Sequence, residues 1–253
     1  MTLMLSWYTA VMDKNTHTHE EPKYIEGPIR RSDMFREIRK NHKARISRIE
    51  DDFVHGFDKI TNYADTVTIF GSARFKETHP YYVKAREIAQ MLAQQGYTVI
   101  TGGGGGIMEA GNRGAYEAGG KSIGFNIQLP QEQALNPYTS DSQTFRYFFS
   151  RKVLLAYSAQ AYLFFPGGFG TLDEFFEIIT LIQTGKIDKA PLILVGNTFW
   201  GALDEFIHKT LYDEFHAIHA ADMKLYKITE SVDEIRKILD QHERKQLTEI
   251  LGS

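Results

Sequence analysis

Residues 162–176 read YLFFPGGFGTLDEFF. The apolar run through Phe165 is the mark of a strand buried on both faces. Pro166-Gly167-Gly168-Phe169-Gly170 follows, a turn with almost no side chains, and the apolar spacing beyond it is that of a helix. A glycine turn opening a helix aims backbone N–H groups at one point and suits an anion. Three residues after Thr171 stands a carboxylate, Glu174. T-x-x-E at a helix start also reads as a capping box, with Glu174 reaching back to the Thr171 N–H. The residues leave both readings open.

The same strand, turn, helix order recurs outward from this stretch. Strands are predicted at TVTIF (66–70), YTVIT (97–101), KSIGFN (121–126), AYLFF (161–165), PLILVG (191–196) and LYKIT (225–229), with a weaker one at TFRYFF (144–149). Helices are predicted over 80–95, 107–118, from near Ser150, from the turn to about Thr184, over 199–212 and over 231–246. Strands alternating with helices of this length give an α/β fold: a doubly wound, Rossmann-like, mostly parallel sheet with helices on both faces. Before it, Phe35, Ile38, Ile46, Ile49, Phe53 and Phe57 recur at helical spacing, with Ser32 as N-cap. Residues 1–60 are therefore read as an arm, a linker (13–31) and an amphipathic helical extension, and 61–253 as the Rossmann-like domain.

Composition narrows the function. A net charge of −3 argues against nucleic acid as partner. The absence of cysteine excludes disulfides and thiolate chemistry. The first dozen apolar residues lack a basic n-region and are too short to span a bilayer, so no membrane partner and a cytoplasmic place are expected. The nine histidines show no metal spacing, and no metal or cofactor is expected.

In a doubly wound sheet, ligands bind beyond the carboxyl ends of the strands. Three loops fall there: Gly71-Ser72-Ala73-Arg74, Gly102 to Gly106, and Pro166 to Thr171. Five consecutive glycines exceed what a tight turn needs, because each loses more entropy on folding than alanine would. Close backbone approach to a ligand is the reading preferred. No G-x-G-x-x-G can be placed on this segment, and AYEAGGKS (115–122) has Ala115 where a P-loop needs glycine. If Ser150 caps a helix, Arg151 and Lys152 put two cations in its first turn, where the dipole disfavours them. A bound anion would offset that repulsion.

With these residues in place, the chain resembles the Lonely Guy (LOG) family of nucleoside 5′-monophosphate phosphoribohydrolases, long labelled lysine decarboxylases. The motif P-G-G-x-G-T-x-x-E is matched by Pro166 to Glu174, the upstream Arg-Lys pair by Arg151-Lys152, and the glycine segment by TGGGGGIMEAGNRGA (101–115). The resemblance covers about residues 66–210. It implies hydrolysis of the N-glycosidic bond of a nucleotide such as AMP or a cytokinin riboside monophosphate, in purine salvage or hormone activation. It implies Arg151 and Glu174 as catalytic residues, with Arg151 holding Glu174 ionised. Substrate contacts would come from Gly71, Ser72, Gly103, Gly104, Gly105, Met108, Lys152, Gly167, Gly168, Gly170, Thr171 and Asp173. Glu132, in LPQEQ, resembles a family glutamate that contacts substrate, against the reading of an exposed loop acid. Thr180 matches a family contact position, against the reading of a core threonine.

A second class stays open beside the enzyme: a non-catalytic nucleotide or molybdenum-cofactor-type carrier on the same fold. No support is found for the decarboxylase label, since the His42-Lys43 and His208-Lys209 pairs both fall within predicted helices and a pyridoxal phosphate enzyme needs its lysine in a cofactor pocket. The 171–184 helix is apolar on more than one face, which points to a homodimer or larger homo-oligomer.

Overall fold

The computed structural model describes residues 31–128 and 134–251. Expectations for the arm and most of the linker, and for Glu132, lie outside the described residues. The chain divides into two compact units between Arg45 and Ile46, and the sheet with its loops belongs to the unit from Ile46 to Ser253.

The centre of that unit is a seven-stranded, all-parallel sheet in the order β4-β3-β2-β1-β5-β6-β7. The strands are β1 (Thr66–Phe70), β2 (Thr98–Thr101), β3 (Ser122–Ile127), β4 (Asp141–Phe145), β5 (Ala161–Phe164), β6 (Leu192–Leu194) and β7 (Tyr226–Ile228). The helices are α1 (Arg31–Ile60), α2 (Pro80–Gln94), α3 (Ile107–Glu117), α4 (Phe148–Tyr157), α5 (Phe169–Gln183), α6 (Asn197–Phe206) and α7 (Val232–Leu251), with a π-helix at Ile207–Glu214. Strand order reverses between β1 and β5, the switch point at which such sheets open a crevice.

Side chains alternate across the central strands, because successive residues of a strand face opposite ways. Val67, Ile69, Leu163 and Ile193 join one core with α2, α3 and α7. Phe70, Tyr162, Phe164, Leu192 and Leu194 join the other with α4, α5 and α6, and Phe53 and Phe57 of α1 pack against that side. All residues of β1, β2, β3 and β5 are buried, and β1, β2 and β5 are accordingly continuous apolar or threonine runs.

Three expectations are corrected. The weak strand at 144–149 is instead β4 at Asp141–Phe145, and Phe148-Phe149 begin α4. β4 is an edge strand, bonded only to β3 and half exposed, so its sequence DSQTF need not be apolar. Ser150 is therefore not a cap: Tyr147 holds that position, and Arg151 and Lys152 are the fourth and fifth residues of α4. Ser32 likewise lies inside α1 and not at its cap.

Trp200 of α6 anchors the second core. It is fully buried, donates Nε1–H to the Phe164 carbonyl at 3.0 Å and meets Phe164 and Phe175 ring to ring. Trp200→Ala is expected to lower stability by about 3–5 kcal/mol in a urea titration, the range for an aromatic core truncation.

Candidate active site

The loops after β1 and β5 are tied together across the switch point. Ser72 N–H donates to the Pro166 carbonyl at 3.1 Å, and Phe165 N–H donates to Phe70 at 2.9 Å. The loop after β2 joins them: Ile107 N–H donates to the Ser72 carbonyl at 2.9 Å. Gly106 makes that junction possible. Its φ is +64°, and a Cβ there would lie 2.2 Å from the Ser72 oxygen. Gly71, Ser72, Gly103–Gly105, Gly167 and Gly168 are thus carried on neighbouring loops at one edge of the sheet, with Gly170 and Thr171 in the first turn of α5.

A buried polar network fixes the five-glycine segment from beneath. Gly103 N–H donates to Thr101 Oγ1 at 2.9 Å, and Thr101 Oγ1 donates to Asn112 Oδ1 at 2.6 Å. Asn112 Nδ2 reaches Ser122 Oγ and the Ile123 carbonyl. Asn136 Nδ2 donates to Asn112 Oδ1 and to the Gly104 carbonyl, and its backbone N–H donates to Gly103. Asn112 and Asn136 are 0% and 5% exposed, so each lost bond would leave a buried group unsatisfied. Sequence reading missed both. The available signal was an asparagine among the buried positions of α3, between Ala110-Gly111 and Gly114-Ala115.

Arg151 projects from α4 to the carboxyl ends of β2 and β3. Its Nε donates to the Phe125 carbonyl at 2.7 Å and its Nη2 to Gly102 at 3.4 Å. A Cβ on Gly102 would lie 2.1 Å from that Nη2 and 2.7 Å from the Met108 sulfur, so glycine here is what admits the guanidinium. Burial disfavours the charged arginine and lowers its pKa, while the charge of Glu174 counters this. Lys152 points elsewhere, pairing with Asp173 and Glu177, each at 2.8 Å. Lys152 and Asp173, both expected to contact substrate, are thereby engaged with each other.

Glu174 is the sixth residue of α5, on the buried stripe Thr171, Glu174, Phe175, Ile178 and Ile182. The capping-box reading fails: Gly168 is the N-cap, no side chain caps the helix, and Thr171 N–H donates to the Gly168 carbonyl at 3.0 Å. The carboxylate is 8% exposed, and its Oε2 has no hydrogen-bond partner among the described residues. Arg151 favours the ionised form, in the expected direction, but is outweighed. Burial dominates and raises its pKa to about 7; Lys152 and Arg151 pull it down, and Glu177 and Asp173 push it up. Among the described residues no ion pair joins Arg151 to Glu174.

Thr180 is exposed and donates its hydroxyl to the Phe176 carbonyl at 2.6 Å, so it is not a core threonine. A cavity of about 650 Å³ opens at the carboxyl ends of β3 and β4, lined by Asn126, Gln128, Leu135, Gln143, Arg146 and His55. Neither His-Lys pair lies on the loops at this edge: His42-Lys43 is in α1, and Lys209 of the π-helix is bonded to Glu205.

A parallel sheet with glycine loops at its switch point, a half-buried arginine and a buried carboxylate are the features of a ligand site in a doubly wound α/β fold. Residues 108–239 match the model of the family described as "Possible lysine decarboxylase". That is over half of the sequence, and the chain belongs to this family, which is that of the LOG proteins. A probable cytokinin riboside 5′-monophosphate phosphoribohydrolase, LOGL5 of Oryza sativa subsp. japonica, is 30% identical over 138 residues, covering 53% of this chain and 56% of that one. The cytokinin riboside 5′-monophosphate phosphoribohydrolase LOG5 of Arabidopsis thaliana is 27% identical over 151 residues, covering 59% and 66%. The matches therefore span little more than half to about two thirds of these relatives' lengths. The molybdenum cofactor carrier protein of Chlamydomonas reinhardtii shares the fold, with a TM-score of 0.51 at 20% identity over 70% of this chain and 98% of that one.

The buried Glu174 gives stability a pH dependence of known sign. Its folded pKa lies above the ordinary 4.5, so its favourable contribution is complete below pH 4.5 and is lost as pH rises through about 7. The full loss is on the order of 3 kcal/mol. Glu174→Gln removes the ionisation, and its melting temperature is expected to exceed that of the unmodified protein at pH 8 by more than at pH 5. Scanning calorimetry at the two pH values checks this.

Proposed function

We propose that this chain hydrolyses the N-glycosidic bond of nucleoside 5′-monophosphates, releasing the base and ribose 5-phosphate. The observation that carries the proposal is Glu174. It is a buried carboxylate with an unpartnered oxygen and a pKa near neutrality, just inside the helix that the glycine turn opens. Carboxylates in such surroundings are common at sites of acid–base chemistry.

The roles follow from position. The first N–H groups of α5 have no intrahelical partner and no capping side chain, which suits the 5′-phosphate. A Cβ on Gly168 or Gly170 would meet no other part of the described residues within 4 Å, so their packing does not demand glycine there. Close approach of the phosphate supplies the reason. When C1′–N breaks, its electron pair leaves with the base and the sugar gains oxocarbenium character. Ionised Glu174 stabilises that charge and accepts a proton from the water that attacks C1′. Arg151 orients the ribose phosphate from the first turn of α4. Lys152 acts through Asp173 and Glu177, holding the start of α5 against α4.

The family's decarboxylase description gains no support from Lys152, whose ammonium is engaged by two carboxylates. The activities of the named relatives favour the hydrolase. A carrier role predicts nucleotide binding without base release, and an assay for free base separates the two.

The helices bearing the two catalytic candidates also carry exposed apolar side chains. Phe149, Val153 and Tyr157 recur at i, i+4 and i+8 on α4, and Phe169 and Phe176 stand out on α5. We propose that a second copy of the chain covers this face. Light scattering at micromolar concentration is expected to give at least twice the 28.9 kDa chain mass; an active monomer at that concentration would exclude it.

Purified protein incubated with a panel of nucleoside monophosphates is expected to release free base, detected by chromatography. Adenosine is expected to react at least a hundredfold more slowly than AMP, because the phosphate supplies the remote binding energy that positions the sugar. Glu174→Gln is expected to abolish release while retaining nucleotide affinity. Since the carboxylate is the active form, kcat/KM should rise with pH and level off above about 7. Equal rates on AMP and adenosine would remove the phosphate site from this reading.

A further inference from the structure

We infer that Asp52, in the helix preceding the matched family segment, is a positioning residue for Arg151. This rests on the proposed hydrolysis for its kinetic readout. α4 has no capping side chain of its own, since its N-cap is Tyr147. Asp52 of α1 instead ties the chain entering α4 to the first turn of that helix. Its Oδ2 accepts the backbone N–H groups of Arg146 at 2.9 Å and Tyr147 at 3.2 Å, and the Ser150 hydroxyl at 2.8 Å. The Arg146 guanidinium lies 3.6 Å from Oδ1. The carboxylate is 3% exposed, so three hydrogen bonds and a cation offset its burial. A negative charge at this helix start also complements the dipole of α4.

The next residue after Ser150 is Arg151. Its guanidinium must span from α4 to the carbonyls of Phe125 and Gly102. A slip or rotation of the first turn of α4 would break both bonds. Gly56, one turn beyond Asp52, holds the other end of the contact. A Cβ there would lie 2.8 Å from Leu154 Cγ and 3.1 Å from Phe145 Cε1, so α1 sits directly against α4 and β4. Phe57 adds an edge-to-face contact with Tyr157 at 5.4 Å. One face of α1 therefore fixes α4 along its length, and Asp52 fixes the end that carries the arginine.

The two roles of such a residue, stabilising the fold and setting the arginine, are separable. Asp52→Asn keeps the shape but presents an amide where two N–H groups need acceptors. It is expected to lower kcat on AMP at least tenfold, leave KM within about twofold, and shift the Arg151 Nε–H resonance in a nitrogen–proton correlation spectrum. Lys59→Ala, which removes an ion pair of the same helix with Asp141, is expected to leave kcat and that resonance unchanged. A folded Asp52→Asn protein with a lower melting temperature but normal kcat and an unmoved resonance would overturn the inference. If the unmodified protein releases no base from any nucleoside monophosphate, the proposed reaction fails by itself. The resonance then decides the positioning role alone, and an unmoved signal refutes it.

Discussion

The site depends on how closely the backbone can approach itself where β1 and β5 lie side by side. Three loops leave the sheet at this edge, and they hydrogen-bond to one another within a few residues of each strand end. A side chain at Gly106 would strike the Ser72 carbonyl, and one at Gly102 would strike Arg151. Glycine is the residue that permits both contacts. Its conformational freedom would make such loops loose, and the Thr101, Asn112 and Asn136 network restores the order that glycine gives up.

A half-buried arginine and a buried carboxylate share this edge, and among the described residues no ion pair joins them. Arg151 is satisfied by backbone carbonyls, which stabilise a cation, whereas the described residues offer one Glu174 oxygen no donor. The consequence is an asymmetry. Burial depresses both charged forms, yet an arginine starting far above neutrality stays protonated, while the carboxyl arrives near pH 7. A fold optimised for stability alone would pair or expose that carboxyl. Its place in a helix that opens on a glycine turn is the physical basis for assigning it chemistry.

Support for this edge comes from far along the chain. Asn136 enters from the loop before β4, and Asp52 enters from a helix that precedes the first strand. Both are buried polar groups whose bonds run to the backbone or to other polar side chains of the site's supports. Such groups specify one arrangement of the elements they join, because a shifted arrangement leaves them unsatisfied. The helix before the sheet is in this sense part of the machinery that holds Arg151.

The sequence by itself determined the alternation of strands and helices, the parallel sheet and the three loops at its carboxyl edge. These follow from local patterns: continuous apolar runs, glycine turns and helical spacing, each confined to a single strand, turn or helix. It also singled out Arg151 and Glu174, through a motif whose spacing is local. It misplaced β4 and the start of α4, because an edge strand needs no apolar pattern and the aromatic run Tyr147-Phe148-Phe149 mimics one. Only the tertiary structure decided that Glu174 is no cap, that Lys152 is engaged by carboxylates, and that Asp52, Asn112 and Asn136 hold the site. Those facts turn on which groups meet after the chain has folded, and Asp52 and Ser150 meet across a separation of 98 residues. Burial, which sets the protonation of Glu174, belongs to the assembled core and to no segment of the sequence.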